Sequence, residues 1–242
     1  MLCSGESQFT AKEGKNMKNR TIKYLWIGIF FLSAFVLWTI LVSHVDVQPI
    51  GPNGSSVGFA AVNGAFHRRT GVHWALYTLT DWLGLVPIGI AFGFAVLGLI
   101  QLIRRKSLRK VDRSILILGG FYVVVLAAYL LFERVVINYR PVLIDGRLEA
   151  SYPSSTTMLA LCVVPTAMMQ LKMRIRGDAV RRTVLGILAA FTVFMVGGRL
   201  ISGVHWGSDI VGGVLLSAGM VALYVFLCET LGRHSGNDRT QS

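Results

Sequence analysis

An all-α integral membrane bundle of about six transmembrane helices, with both termini cytoplasmic, is the architecture expected of this chain on composition, spacing and charge. The 242 residues are 53% hydrophobic and 15% charged, with a mean hydropathy of +0.59, which excludes an ordinary soluble domain. Apolar runs close to the length that crosses roughly 30 Å of hydrocarbon recur along the chain. The segments between them alternate sharply in basic content, as expected of a membrane protein with a fixed orientation.

Residues 1–23 form a basic N-terminal segment with no short apolar stretch ahead of a small-residue cleavage site, so the first helix is expected to stay in the membrane. Met17 offers a second start, which would make residues 1–16 an extension without a role in the fold. The apolar runs then fall at Tyr24–Val42, Leu83–Ile103, Ser114–Phe132, Thr157–Met173, Thr183–Ile201 and Asp209–Leu231. In lipid every backbone N–H and C=O must be satisfied within its own segment, so each run is expected to be a helix. Together they make one membrane domain over 24–231, followed by a polar cytoplasmic tail at 232–242. The segment Ser43–Trp82 is Gly-rich at first and then runs His73-Trp74-Ala75-Leu76-Tyr77. It reads as a flexible loop followed by an interfacial amphipathic helix, with Trp74, Tyr77 and Trp82 in the aromatic belt or in a lid over a headgroup.

Eighteen of the 24 Lys and Arg lie in the N-terminal segment, the second-to-third loop, the fourth-to-fifth loop and the tail. Six spans place all four segments on one side, which the positive-inside rule makes cytoplasmic. A formal charge of +12 in a soluble protein would point to nucleic acid. Here the basic residues flank apolar segments, so no nucleic-acid partner is expected, and their partners are anionic lipids at the cytoplasmic face. Cys3, Cys162 and Cys228 are far apart, and neither a disulfide framework nor a metal site is implied. Gly84, Gly89, Gly93 and Gly98 permit close helix packing, within one bundle or in a homo-oligomer.

Three segments on the other side carry chemistry. Glu133-Arg134-Val135-Val136-Ile137-Asn138-Tyr139-Arg140-Pro141, if helical, returns Glu133 and Arg140 to nearly one face, and an arginine fork there suits phosphate. Tyr152-Pro153-Ser154-Ser155-Thr156-Thr157 leads into the fourth span, where hydroxyl caps and free backbone N–H groups favour an anion. Gly198-Arg199-Leu200-Ile201-Ser202-Gly203-Val204-His205-Trp206-Gly207-Ser208-Asp209 places His205 and Asp209 four apart. On one helical face, a carboxylate would hold one imidazole nitrogen and leave the other free to attack.

Together the three segments resemble the type 2 phosphatidic acid phosphatase superfamily, the lipid phosphate phosphatases, whose pattern is K-x6-R-P, then P-S-G-H, then S-R-x5-H-x3-D. The resemblance spans Glu133 to Asp209. It implies a multi-pass protein of the cell membrane with its site facing outward, which hydrolyses a lipid phosphate or diphosphate without metal or other cofactor. Arg140, Arg199, Ser154, Ser155, Thr156 and backbone amides would cradle the phosphate. His205 would attack to give a phosphohistidine, and Asp209 would orient it. The chain departs from the pattern at four positions: Glu133 stands for the lysine, Ser155 for the glycine, Thr156 for the second-motif histidine and Gly198 for the third-motif serine. Without an imidazole acid at Thr156, a lipid diphosphate, possessing an already stable leaving anion, is the better substrate, with a polyprenyl diphosphate one such lipid. Glu133 is a candidate modifier, pairing with Arg134 or Arg140 or replacing the acid, and His67 or His73 could fold over the site. A catalytically impaired lipid-phosphate binder or transporter on the same scaffold stays open as the alternative.

Overall fold

The computed structural model describes residues 3–237, with side chains over 19–231; Met1, Leu2 and residues 238–242 of the expected tail lie outside the described residues. Eight α-helices follow in order: α1 (Cys3–His44), α2 (Ala60–Thr70), α3 (Trp74–Leu83), α4 (Leu85–Arg105), α5 (Arg113–Arg134), α6 (Ser155–Arg174), α7 (Asp178–Ile201) and α8 (Gly207–Asn237). Among the described residues, six segments are long and apolar enough to cross a membrane: Asn19–His44, Trp74–Arg105, Arg113–Arg134, Ser155–Arg174, Asp178–Ile201 and Gly207–Leu231. Each expected apolar run coincides with one of them or overlaps it closely. Large apolar side chains such as Phe30, Phe92, Val123 and Val193 point outward and are 66–73% exposed. Water would not tolerate such a surface, whereas lipid does. The chain is a multi-pass membrane protein.

The fourth span has the lowest hydropathy of the six, 1.2, because protein rather than lipid surrounds it. Its Thr157, Thr166 and Gln170 are fully enclosed, and Thr166 returns its hydroxyl to the carbonyls of Cys162 and Val163. The core joins α1, α5, α6 and α8 through Phe35, Val125, Met158, Leu216 and Tyr152, with the Phe35 and Tyr152 rings stacked 6.1 Å apart. Helices α1 and α8 pack closely at two glycines. A Cβ on Gly28 would stand 2.6 Å from Leu223, and one on Gly219 would stand 2.7 Å from Leu32. Of the expected glycines, a Cβ on Gly98 would meet Ile115 at 3.1 Å, whereas Gly89 and Gly93 have no such neighbour among the described residues.

Two local expectations are overturned. The segment after α1 is folded rather than an open loop: Asp46 caps α2 by accepting Ala61 N–H at 2.7 Å, and Gly58 packs so tightly on the Val42 carbonyl that a Cβ would overlap it. The amphipathic helix α3 does not lie apart at the interface but runs into α4, because Gly84 keeps right-handed helical angles (φ −60°, ψ −20°). The second span is therefore 32 residues long.

The other correction concerns Glu133–Pro141. Helix α5 ends at Arg134, so Glu133 and Arg140 do not share a helical face. Val135, Val136 and Ile137 are β-branched, and Pro141 disfavours the helical region for Arg140. The chain instead makes an irregular antiparallel arm around Asp145 and Gly146, both at positive φ, a pair suited to a tight reversal. Tyr139 bridges Ala150, Arg140 N–H donates to Glu149 O, and Ser151 N–H donates to Asn138 O. Alternation along extended chain then puts Asn138, Arg140, Glu149 and Ser151 on one face. That face meets the turn between α7 and α8.

Candidate active site

His205 sits on that turn, not on a helix, since α8 begins at Gly207. The turn is pinned by Gly203, whose φ of +70° suits glycine and whose Cβ would stand 1.9 Å from the Gly71 carbonyl oxygen. His73 N–H donates to Ser202 O across the same junction. His205 is 3% exposed. Its Nδ1 lies 3.1 Å from the Ser151 carbonyl, and a carbonyl can only accept, so Nδ1 carries the proton. Nε2 is then the unprotonated nitrogen. It faces the Arg140 Nη1 at 3.4 Å and the Arg199 Nη2 at 3.3 Å. Burial first, then the two guanidinium charges, hold the imidazole well below the usual histidine range, opposed by the Ser151 backbone bond. A neutral ring with an available lone pair is the form that can act as a nucleophile.

Asp209 does not orient His205 as the four-residue spacing predicts. Its Oδ2 is 4.0 Å from Nδ1, beyond hydrogen-bond reach. The carboxylate is instead saturated by other donors: Trp206 N–H at 2.9 Å, Asn138 Nδ2 at 3.1 Å, Ser208 Oγ at 3.4 Å and Ser151 Oγ at 2.5 Å. The reason is geometric: with His205 outside the helix, the i,i+4 neighbour relation does not apply. Ser151, which also stands 3.0 Å from Nδ1 through its hydroxyl, occupies the gap.

The two arginines are held differently. Arg140 is ion-paired through Nε with Glu149 at 3.1 Å, so it is not the partner of Glu133, which makes no ion pair among the described residues. Arg199 is completely buried. Its Nη1 is 3.5 Å from Asp81 Oδ1, its guanidinium stands 5.0 Å over the Tyr77 ring, and neither Nε nor Nη1 makes a hydrogen bond. Gly198 before it has a packing reason, because a Cβ there would stand 2.7 Å from Thr80 Cγ2 of α3.

Ser154 caps α6 by accepting Thr157 N–H at 3.5 Å, while its own N–H goes to Asp209 O. Ser155 and Thr156, half-buried in the first turn of α6, line one cleft together with Glu133, Arg140 and Arg199. This cleft of about 1490 Å³ continues between α4 and α5 past Phe92, Gly119 and Val123 as far as Leu108. It is polar at the arginine end and apolar along its length. His67 packs its ring edge-on against Trp206 at 5.5 Å, and His73 contacts the Thr70 carbonyl through Nε2. Among the described residues neither bonds to Arg140, Arg199 or His205. No cluster of three or more metal-ligating side chains occurs among the described residues.

Sequence reasoning missed Ser151, Asn138, Glu149 and Asp81 as parts of this arrangement, and offered Tyr77 only as a belt or lid residue. The first three had a readable signal, the alternate positions flanking an Asp-Gly reversal. Asp81 had none, because α3 reaches Arg199 only through tertiary packing.

The model of the PAP2 superfamily matches residues 134–232. No curated protein matches the chain. Among solved structures, the chain is similar to the first transmembrane PAP2-type phosphatidylglycerolphosphate phosphatase from Bacillus subtilis, at 20% identity over 87% of this chain and 97% of that one, with a TM-score of 0.48. The matched stretch holds Arg140-Pro141, Pro153-Ser154 and Arg199 with His205 and Asp209 in the family's order, so this part of the chain is similar to the PAP2 superfamily.

Proposed function

We propose that the protein is a membrane lipid-phosphate phosphatase that acts through a phosphohistidine on His205, at the outer face, with a lipid diphosphate as the preferred substrate. The observation that carries this reading is the unprotonated Nε2 of His205 set between two guanidiniums at the polar end of an apolar cleft. The arginines offer hydrogen-bond donors and positive charge to a phosphoryl group entering between them and the ring. Nε2 attacks phosphorus in line, and the bond to the leaving oxygen breaks with its electron pair staying on that oxygen. Water then attacks the phosphohistidine, the P–N bond breaks, and the pair returns to Nε2. Ser154 holds the start of α6, whose Ser155 and Thr156 contribute hydroxyls and backbone N–H groups to the cradle. Asp209 fixes the floor of the site.

Thr156 supports the diphosphate preference. A threonine hydroxyl cannot protonate a lipid alkoxide as imidazolium can, whereas a lipid monophosphate leaves as a stable anion. The concentration of Arg and Lys at the opposite end of the bundle supports the outward orientation, with anionic lipids as partners of that basic end. The same substitution favours the second reading, a binder that retains the anion grip without turnover.

The test is phosphate release from lipid diphosphates and lipid monophosphates by purified wild type and His205→Ala. Release that disappears in the variant supports the hydrolase, binding without release supports the binder, and release indifferent to the variant overturns His205 as nucleophile.

A further inference from the structure

We infer that Ser151 is the positioning residue for His205: its carbonyl and hydroxyl together hold Nδ1, and the hydroxyl relays the ring to Asp209. The inference rests on the phosphohistidine reading, which it deepens. Ser151 is 2% exposed and presents two oxygens to one imidazole nitrogen, the carbonyl at 3.1 Å and Oγ at 3.0 Å. Nδ1 has one proton, which these two acceptors share. The hydroxyl proton is committed elsewhere, to Asp209 Oδ2 at 2.5 Å, so the Oγ lone pair is the part of the hydroxyl that faces the ring. Ser151 N–H is anchored to Asn138 O at 2.9 Å, and Asn138 itself donates to Asp209. The arm 138–151 thus grips both ends of the relay.

Two consequences follow. The carbonyl dictates the tautomer, because the opposite tautomer would set a lone pair against a carbonyl oxygen and place a proton on Nε2, where it would block attack. The hydroxyl acts when the ring becomes positive. As Nε2 bonds to phosphorus, its pair is used, the ring gains a positive charge, and Nδ1 keeps its proton. Asp209, at 4.0 Å, attracts that charge across space but is too far to hydrogen-bond Nδ1, and the polarised Ser151 Oγ supplies the bonded link between them. The charged and titratable groups facing His205 are Arg140 on the arm, Arg199 on α7 and Asp209 on α8. Behind them stand Glu149, Asp81 and Tyr77, which contact the arginines.

The experiment uses the full chain in detergent micelles, as wild type, Ser151→Ala, Ser151→Thr, His205→Gln and His205→Ala. Side-chain 15N spectra of histidine-labelled protein, assigned by the His205→Gln difference, follow the His205 ring through a pH titration without substrate. Wild type is expected to show the Nδ1–H form, and Ser151→Ala is expected to move the titration to lower pH because the ring cation loses an acceptor. In the assay, Ser151→Ala is expected to lower kcat about 10–100-fold with KM little changed, the range for losing a hydrogen bond to a charged group. The acid limb of its pH profile should move in the same direction as the spectra, and Ser151→Thr, which keeps the hydroxyl, should recover most of the loss. An unchanged titration and unchanged kcat in Ser151→Ala, alongside a dead His205→Ala, overturns the inference and leaves the phosphatase reading standing. A fully active His205→Ala overturns the phosphatase reading instead, and the spectra alone then decide whether Ser151 holds the ring.

Discussion

Replacing Arg199 by methionine should separate binding from stability. Methionine follows a similar path through the core without charge. The substitution removes a contact over Tyr77, worth about 0.5–2 kcal/mol, a long ion pair to Asp81, which is 56% exposed and so contributes about 0–1 kcal/mol, and the Nη2 contact to His205 Nε2 at 3.3 Å, where Arg140 Nη1 remains at 3.4 Å. Against these losses stands the burial of a guanidinium with no solvent exposure and two nitrogens, Nε and Nη1, without hydrogen bonds. Each unmet buried donor costs about 1–3 kcal/mol, and replacing buried ionic groups by apolar ones of similar volume is often stabilising by about 1–4 kcal/mol. The unliganded Arg199→Met protein should therefore melt at the same temperature as wild type or several degrees higher. Inorganic phosphate or vanadate should raise the wild-type midpoint by mass action and leave that of the variant unmoved, and phosphate release should be abolished. The assay is thermal unfolding in detergent with and without the anion. A variant that melts well below wild type while keeping its anion-induced shift would show that Arg199 is a structural cation, and the reasoning would fail.

Three further outcomes follow. Thr156→His should raise lipid monophosphate hydrolysis by roughly 10²-fold or more, the scale of general acid catalysis, with little effect on diphosphates; equal gains on both substrates would contradict the leaving-group argument. His205 is held neutral below its ordinary value of 6.5, so the folded state binds fewer protons than the unfolded one. Its contribution to stability is complete above pH 6.5 and falls by up to about 1.4 kcal/mol per pH unit as pH drops from there toward the folded value. Melting between pH 7.5 and 5.5 should show a slope that is shallower in His205→Gln. Gly203→Ala should lower the midpoint by the equivalent of about 1–3 kcal/mol or more, from left-handed strain and from the 1.9 Å approach to the Gly71 carbonyl; an unchanged midpoint would rule out that approach.

The six spans were legible because lipid imposes a single requirement, length and apolarity, that can be read one segment at a time. The fourth span was harder for the same reason: α6 faces protein, so Thr157, Thr166 and Gln170 dilute its hydropathy. The candidate site was legible as residue types, and His205 does meet Arg140 and Arg199. How they meet was not. Helical spacing was applied to Glu133–Arg140 and to His205–Asp209, and both pairs lie where the helix has stopped, at Arg134 in one case and before Gly207 in the other. Where a helix ends depends on local β-branching and on Pro141, signals that were present. The insertion of Ser151 between His205 and Asp209 depends on an arm folding back across the bundle, a long-range event that no local pattern encodes.

The stretch 134–232, which carries every motif residue but Glu133, depends on chain that precedes it. Gly58 N–H holds Asn138 at 3.2 Å, Asn63 holds Ser208 from both sides, Trp38 donates to the Ser208 carbonyl at 3.0 Å, and Asp81 and Tyr77 flank Arg199. Grafted onto a foreign scaffold, residues 134–232 would bring the proposed nucleophile and both guanidiniums but leave behind the groups that aim them. The smallest exchangeable unit of this protein therefore begins no later than Trp38. Divergence among relatives before α5 should accordingly retune the reaction as effectively as changes within the motifs.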